Sequence, residues 1–230
     1  MELFYAHPGN IDSDFLSLDD FETRHIRNTL RKRPGDMIVV GDGLGKRYHA
    51  EITALKPQIT CRIQRTEIQP APPGFGLALG FIRPNRLEWI LEKATELGVT
   101  DFLLVRTHRS TYFSDNAERF DKIARQAMKQ SLRFYKPAVH LLPDFRSFLE
   151  QSANYPWRAA AIDETCPPLA DLQLEPGSPV LMSIGPEGGF DEDETAAFRE
   201  SGFHTVSLGS NRLRAETAAL AACSWLMLKR

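Results

Sequence analysis

Ile184-Gly185-Pro186-Glu187-Gly188-Gly189-Phe190 and Leu208-Gly209-Ser210-Asn211-Arg212-Leu213-Arg214-Ala215-Glu216-Thr217-Ala218 share one architecture, an apolar strand that breaks into a tight turn and continues as a helix. Glycine tolerates positive φ and lets a backbone approach a ligand closely. Two such turns at neighbouring strand ends therefore make a pocket lined by main-chain amides. The function is expected in that pocket.

The side chains around the turns carry two readings each. Asp191-Glu192-Asp193-Glu194 follows the first turn, where Asp191 is placed to cap a helix and Glu194 to close a capping box. Acids are favoured at a helix start in any case, so these four read as helix-start chemistry. Glu187 lies inside the turn, where a functional role and a structural one both stand. Arg214 and Glu216 interrupt an otherwise apolar run near the start of the last helix. They read either as a structural pair or as functional groups.

Outward from the turns, apolar strands alternate with amphipathic helices. Leu77 to Ile82, Phe102 to Val105, Val139 to Leu142, Ala159 to Ile162, Val180 to Ile184 and Val206 to Leu208 are the expected strands. Leu87, Ile90, Leu91 and Ala94 fall at i, i+3, i+4, i+7 of an expected helix from Leu87 to Leu97 that Gly98 ends. Continuous apolar strands separated by helices argue a parallel sheet covered on both faces. Gln69-Pro70-Ala71-Pro72-Pro73-Gly74 precedes this region and reads as a linker, because prolines remove donors and extend the chain. The expected domains are thus 1–70, a linker at 71–76, and an α/β domain at 77–230.

In the first domain β signals dominate. Met37-Ile38-Val39-Val40 is followed by the turn Gly41-Asp42-Gly43-Leu44-Gly45, then by Tyr48, Ala50, Ile52 and Ala54 at period two, with Ile59, Cys61 and Ile63 alternating likewise. One helix, roughly Asp19 to Leu30, interrupts them, and a small β-barrel with an inserted helix is expected. Gly41 to Lys46 superficially resembles a phosphate-binding P-loop. Its spacing is one residue short, and Arg47 stands where Ser or Thr must bind magnesium, so a hairpin is the reading. Gly74-Phe75-Gly76 with Gly80 precedes a strand instead of following one, which excludes a dinucleotide fingerprint. No GxSxG elbow or HExxH occurs.

The 230 residues carry a net charge of −2. The molecule is no polycation, so any nucleic-acid binding must come from local patches. Cys61, Cys166 and Cys223 are far apart and odd in number, which suggests neither a disulfide framework nor a zinc site. No stretch reaches the roughly 18 to 20 apolar residues of a bilayer span, and Met1-Glu2-Leu3-Phe4-Tyr5 lacks the basic and apolar regions of a signal peptide. A cytoplasmic protein with reduced thiols, no metal and no membrane contact is expected.

Gly185-Pro186-Glu187-Gly188-Gly189-Phe190, the stretch Leu208-Gly209 through Arg214-x-Glu216-Thr217-Ala218, and Glu92-Lys93-Ala94-Thr95-Glu96-Leu97-Gly98-Val99 together resemble the ribosomal small-subunit (16S) RNA uridine-N3 methyltransferases. Gln130-Ser131-x-Arg133, His25 to Arg31, Gly35-Asp36 and Asp42-Gly43 extend the resemblance to both domains, in order. The resemblance implies a PUA-like β-barrel followed by an α/β domain of the SPOUT class, whose C-terminal segment threads a deep trefoil knot. It implies a homodimer that uses S-adenosylmethionine to methylate N3 of a uridine in the decoding region of 16S rRNA, within the small ribosomal subunit. Two departures limit the transfer. Glu2-Leu3 replaces the basic residues common after the initiator, and Asn211 stands where the final motif often begins with Arg, so no role is carried to either place.

On that resemblance, Gly185, Gly188, Gly189 and Gly209 are expected to hold the donor through backbone groups, with Ile162, Leu208 and Leu213 packing on its adenine and Thr217 beside them. Loss of the N3 proton leaves an imide anion, for which Arg214 is the expected stabiliser and Glu187 the expected proton acceptor. Expected RNA contacts are Arg24, His25, Arg27 and Arg31 in the first domain, with Lys32 and Arg33 near them. In the second domain they are Arg83 and Arg86 after the first strand, Arg109, Gln130, and the stripe Lys122, Gln126, Lys129, Arg133. That stripe could equally be a solvated helix face opposite Phe120, Ile123, Ala127 and Leu132, and His25 could be a packed barrel residue. A knotted methyltransferase acting on tRNA or another rRNA position, and a non-catalytic ribosome-assembly factor, are the rival readings.

Overall fold

The computed structural model describes residues 2–229. It divides into two compact units, one running from the N-terminus to Ala71 with Met128–Lys136, the other comprising Pro72–Ala127 and the chain from Pro137 onward.

The first unit is a five-stranded sheet of β1 (Leu3–Tyr5), β2 (Phe15–Ser17), β3 (Met37–Gly41), β4 (Lys46–Ala54) and β5 (Thr60–Ile68), in the order β1-β3-β4-β5-β2. β1 pairs parallel with β3 and the other pairs are antiparallel. With β1 and β2 left as edges, the sheet is a half-barrel. The alternation legible in the sequence sends Ile38, Val40, Tyr48, Ala50, Ile52 and Cys61 into one core with Phe4, Leu16, Leu18 and Ile26. Ile26 comes from the expected helix, which is α1 (Asp20–Arg24) continued by a wider π-turn over His25–Leu30. Asp19 caps it by accepting from the Glu22 amide at 2.8 Å. The glycine-rich turn is a hairpin, held by the Asp42 carboxylate, which accepts from the amides of Leu44 at 2.7 Å and Lys46 at 3.0 Å.

The second unit is a six-stranded, wholly parallel sheet. Its strands are β6 (Phe75–Gly80), β7 (Asp101–Val105), β8 (Ala138–Leu142), β9 (Trp157–Ala161), β10 (Val180–Ile184) and β11 (His204–Val206), in the order β11-β9-β10-β6-β7-β8. The helices are α2 (Pro84–Glu96), α3 (Ala117–Gln130), α4 (Phe145–Ser152), α5 (Glu192–Glu200) and α6 (Ala215–Lys229). Every residue of β6 and β10 is buried, as a sheet covered on both faces requires. Leu77, Leu79 and Met182 face the core built with α2 and α6, whereas Ala78, Leu103 and Leu181 face Phe148, Phe198 and Phe203.

Two strands sit two residues earlier than their apolar runs suggest. Phe81 and Ile82 stay buried after β6 has ended, and Ser207 leaves β11 to bond the loop at Pro167 and Leu169. Hydrophobicity reports burial, and burial outlasts ladder pairing. Pro167 and Leu169 hold Ser207 from both sides, its amide donating to the Pro167 carbonyl and its carbonyl accepting from the Leu169 amide, each at 2.8 Å.

α3 ends at Gln130, so Arg133 does not continue the stripe of Lys122, Gln126 and Lys129, and Leu132 does not continue the apolar face. The Leu132 amide bonds the Lys129 carbonyl and the Arg133 amide bonds the Met128 carbonyl, a Schellman closure with Leu132 at φ 55°. A left-handed leucine costs about 1–2 kcal/mol. Tertiary contacts within the first unit offset this cost. Arg47 donates to the Leu132 carbonyl at 2.5 Å and lies over the Phe134 ring at 3.9 Å, while Gly45 and Lys136 donate to the carbonyls of Phe134 and Gly43.

Lys129 is paired with Glu22, whose side chain is 3% exposed, and its ammonium lies 5.9 Å from the rings of both Phe4 and Phe21. Burial pushes the Glu22 carboxyl above its ordinary value, with Lys129 pulling the other way. Removing Lys129 leaves that carboxylate buried and unpaired. Lys129→Met should therefore lower unfolding free energy in urea by about 3–5 kcal/mol, and Glu22→Leu with Lys129→Met should restore most of it. The raised folded-state value means that stability from this carboxyl is present at low pH and lost as pH rises through it, so the Lys129→Met deficit should grow as pH rises above the ordinary carboxylate range.

Candidate functional site

The parallel sheet sends the carboxyl ends of β9, β10 and β11 to one edge, where a cleft of about 1120 Å³ opens. Its walls are Ala161 to Glu164 after β9, Ile184 to Asp191 after β10, and Val206 to Ala215 after β11, with Ala218 from α6. In open α/β sheets this edge is where ligands lodge.

Close packing shapes the first turn. A Cβ on Gly80, at the end of β6, would lie 2.5 Å from Cδ and 2.8 Å from the nitrogen of Pro186. Only glycine there lets the chain leave β10 along this path. Gly189 then closes the turn at φ 70°, its amide donating to the Pro186 carbonyl at 2.8 Å. In the second turn Gly209 adopts φ 128°, and the Ser207 hydroxyl accepts from its amide and donates to its carbonyl, both at 3.1 Å.

Ile162, Gly185, Gly188, Gly189, Leu208, Gly209 and Leu213 line this one cleft, as do Glu187 and Arg214. Thr217 is exposed on the first turn of α6 and is not among the lining residues. At about 100° per residue, Ala215 and Ala218 share the cleft-facing side of the helix and Thr217 points away.

Arg86 and Arg109, expected as RNA contacts, also line the cleft. Arg86 stands between two carboxylates, 3.7 Å from Glu187 and 3.8 Å from Glu216. Glu216 thus pairs with Arg86 and not with its neighbour Arg214, which forms no ion pair among the described residues. The second Glu216 oxygen is buried without a hydrogen-bond partner, so Arg86 is the charge that keeps this carboxylate in place. Arg83 is the exposed N-cap of α2.

Arg109 donates through Nη1 to the carbonyls of Gly188 at 3.0 Å and Phe190 at 3.2 Å. Tying those carbonyls down fixes the peptide planes of the turn. The expected capping box at α5 forms and reaches further than the helix, because buried Glu194 also accepts from the His108 amide at 2.8 Å. His108 Nδ1 lies 3.0 Å from Asp191. The loop after β7 is thereby clamped to the glycine turn, a contact that no local spacing signals.

In the first unit, Arg24 is exposed and donates to the Asp20 carbonyl, and Arg27 donates to Asn28. His25 is half-buried, bonded to Glu2 at 2.8 Å and set against the Phe4 ring. Arg31 is exposed in the left-handed position that ends the π-turn. Lys129 is engaged with Glu22, Gln130 is exposed, and burial lowers the proton affinity of Arg133.

Residues 70–227 match the model of an RNA methyltransferase domain, and residues 18–64 that of an RNA methyltransferase PUA domain. The chain is 30% identical over 225 residues to ribosomal RNA small subunit methyltransferase E of Bacillus subtilis (strain 168), covering 91% of this chain and 88% of that one. It is 28% identical over 236 residues to the protein of that name from Aquifex aeolicus, covering 99% of each. The crystal structure of a ribosomal RNA small subunit methyltransferase E from Neisseria gonorrhoeae bound to S-adenosyl methionine superimposes with a TM-score of 0.89 at 30% identity, over 99% of this chain and 97% of that one. A putative methyltransferase from Legionella pneumophila, in complex with the same cofactor, gives 0.88 at 26% identity over 98% and 96% of the two chains.

The Gly80–Pro186 contact makes a testable demand. Gly80→Ala should cost about 1–3 kcal/mol in urea unfolding, because the atoms met are main chain and ring and have no rotamer to yield. Gly98→Ala, where the added Cβ meets only Phe75 at 4.0 Å, separates overpacking from the cost of positive φ.

Proposed function

The chain belongs to the ribosomal RNA small subunit methyltransferase E family, and from that membership we propose that it transfers a methyl group from S-adenosylmethionine to N3 of a uridine in the decoding region of 16S rRNA. Its second unit is an α/β domain of the SPOUT type and its first a PUA-like half-barrel. The observation that carries the proposal is the cleft between the two glycine turns, in a chain matched over nearly its whole length by a structure holding that donor.

The residues present suit the donor. Gly189 and Gly209 have nothing within 4 Å of an added Cβ, so any side chain there would project into open space beside the main chain at the cleft wall. Ile162, Leu208, Leu213 and Ala218 supply an apolar wall for an adenine, and Asp163 and Glu164 supply acceptors beside it. When bound, the sulfonium supplies an electrophilic methyl group. The chain's own work is to hold the acceptor base in line and to manage its proton and charge.

Uridine N3 carries a proton that must leave before the nitrogen can attack. Glu187, exposed in the cleft and steadied by Arg86 at 3.7 Å, is our choice of acceptor. Arg214, facing the same cleft with no carboxylate to neutralise it, is placed to stabilise the imide anion left behind. Extruding the base from its stack costs a few kcal/mol, which contacts from the rest of the RNA must offset. Residues 1–70 are proposed to supply some of these, through Arg24, Arg27 and Arg31.

No helix among the described residues is long and apolar enough to cross a membrane. Action in the cytoplasm on the small ribosomal subunit, and a homodimer formed through α6, complete the proposal. α6 exposes Met227 and Leu228, and Trp225 stacks on Trp157 at 6.5 Å, an apolar surface of the kind a second copy covers. Threading of the C-terminal segment as a trefoil knot belongs to the same proposal, and the two hydrogen bonds that grip Ser207 support it.

Gly189→Val places a β-branched residue at positive φ in the donor site, and calorimetry should find donor affinity reduced on the order of tenfold or more. Arg214→Ala should lower the single-turnover rate by about 10²–10³, and Glu187→Gln by about 10²–10⁴, with donor affinity little changed. Mass spectrometry of 16S rRNA from a deletion strain should find the 3-methyluridine missing. A modification that persists in rRNA, or one lost from tRNA instead, would overturn the choice of substrate.

A further inference from the structure

At the carboxyl ends of β6 and β7 lies a surface that the reaction above does not use. Phe113 is 49% exposed and its neighbour Tyr112 39% exposed, on the irregular stretch between β7 and α3. Single exposed rings are common on soluble proteins and need no explanation. Phe113, however, is held in place. Its ring meets that of fully buried Phe81 at 5.1 Å and 63°, and the Arg106 guanidinium lies 5.3 Å from its centroid. The loop leading to it is tied by Thr107 and Ser110, whose hydroxyls are 2.8 Å apart.

Two arginines follow the strands that end at this surface. Arg83 follows β6 and Arg106 follows β7, both exposed, and among the described residues neither forms an ion pair. Four residues before Phe113, Arg109 lines the cleft, so the ring sits on a short stretch of chain continuous with the cleft wall. A fixed, half-exposed ring beside unneutralised arginines suits an occupant with a flat π-face and negative charge. An unpaired nucleotide has both, because every base stacks and every linkage carries a phosphate. Extrusion of a uridine also creates a need for such a surface, since the bases on either side of it lose a stacking partner.

We propose that Phe113, braced by Phe81 and Arg106, is the stacking platform for a base adjacent to the methylated uridine, with Arg83 and Arg106 on the flanking phosphates. The inference rests on the rRNA reading given above. It adds a determinant of substrate choice that lies outside the donor site.

The test measures binding of short 16S rRNA fragments carrying the target uridine to wild type, Phe113→Ala, Phe113→Leu and Phe113→Trp. Donor affinity by calorimetry and thermal melting are followed in parallel. Phe113→Leu keeps an apolar cover on Phe81 but has no π-face, so it separates stacking from folding. Loss of one stacked base should weaken RNA binding about 5- to 150-fold in the Ala and Leu variants, with Trp close to wild type and donor affinity unchanged. One abasic substitution beside the target should weaken wild type and leave Phe113→Leu unaffected. RNA affinity in Phe113→Leu equal to wild type would overturn the platform, as would equal losses from every abasic fragment in both proteins. A wild-type protein that binds no small-subunit rRNA fragment would overturn the rRNA reading itself, and this inference with it.

Discussion

The approach of Pro186 to Gly80, closer than any side chain permits, is the constraint on which the cleft depends. β10 lies between β9 and β6, so the chain leaving it must pass over the end of β6 before it can turn into α5. Because the neighbour is glycine, that passage is made against the sheet, and the following residues lie at the cleft wall with their main chain exposed to it. A parallel sheet then does the rest by geometry. Its strands all end at one edge, so the turns after β9, β10 and β11 converge without any long excursion.

Electrostatic order in the cleft comes from residues outside the glycine turns. Arg86, in the first turn of α2, reaches Glu187 and Glu216, linking the first glycine turn to the start of α6. Arg109 and the amide of His108 come from the loop after β7 and fix the other side of the same turn through main-chain carbonyls and Glu194. Each device joins a turn to an element distant in sequence, so the positions of the backbone amides at the cleft wall depend on the whole sheet. The arrangement leaves Arg214 as a cation at the cleft without an ion-pair partner among the described residues.

The first unit shows the same reliance on distant partners. The segment Met128–Lys136 is held by Arg47, by the Gly43 and Gly45 backbone, and by the Glu22–Lys129 pair. A left-handed leucine and a buried carboxylate are each unfavourable alone. Both persist because several contacts over-determine them.

Much of the architecture was legible in the residues. Alternation in β4, apolar runs in β6 and β10, the glycine that ends α2 and the capping box of α5 all express local backbone geometry, which repeats every few residues and so leaves a pattern in sequence. The two glycine turns were legible for the same reason, whereas Ile162, Leu208 and Leu213 were placed at the cleft through the family resemblance. Strand ends were less so, because Phe81 and Ile82 remain buried after pairing stops. Arg133 was misplaced on a helical stripe because a leucine, and not a glycine, ends α3. What only the tertiary structure decided is which charges meet. Arg86 with Glu187 and Glu216, Lys129 with Glu22, and Arg109 with the carbonyls of the turn join residues that no periodicity connects. An ion pair depends on where two elements end in space, and that is set by strand order and packing.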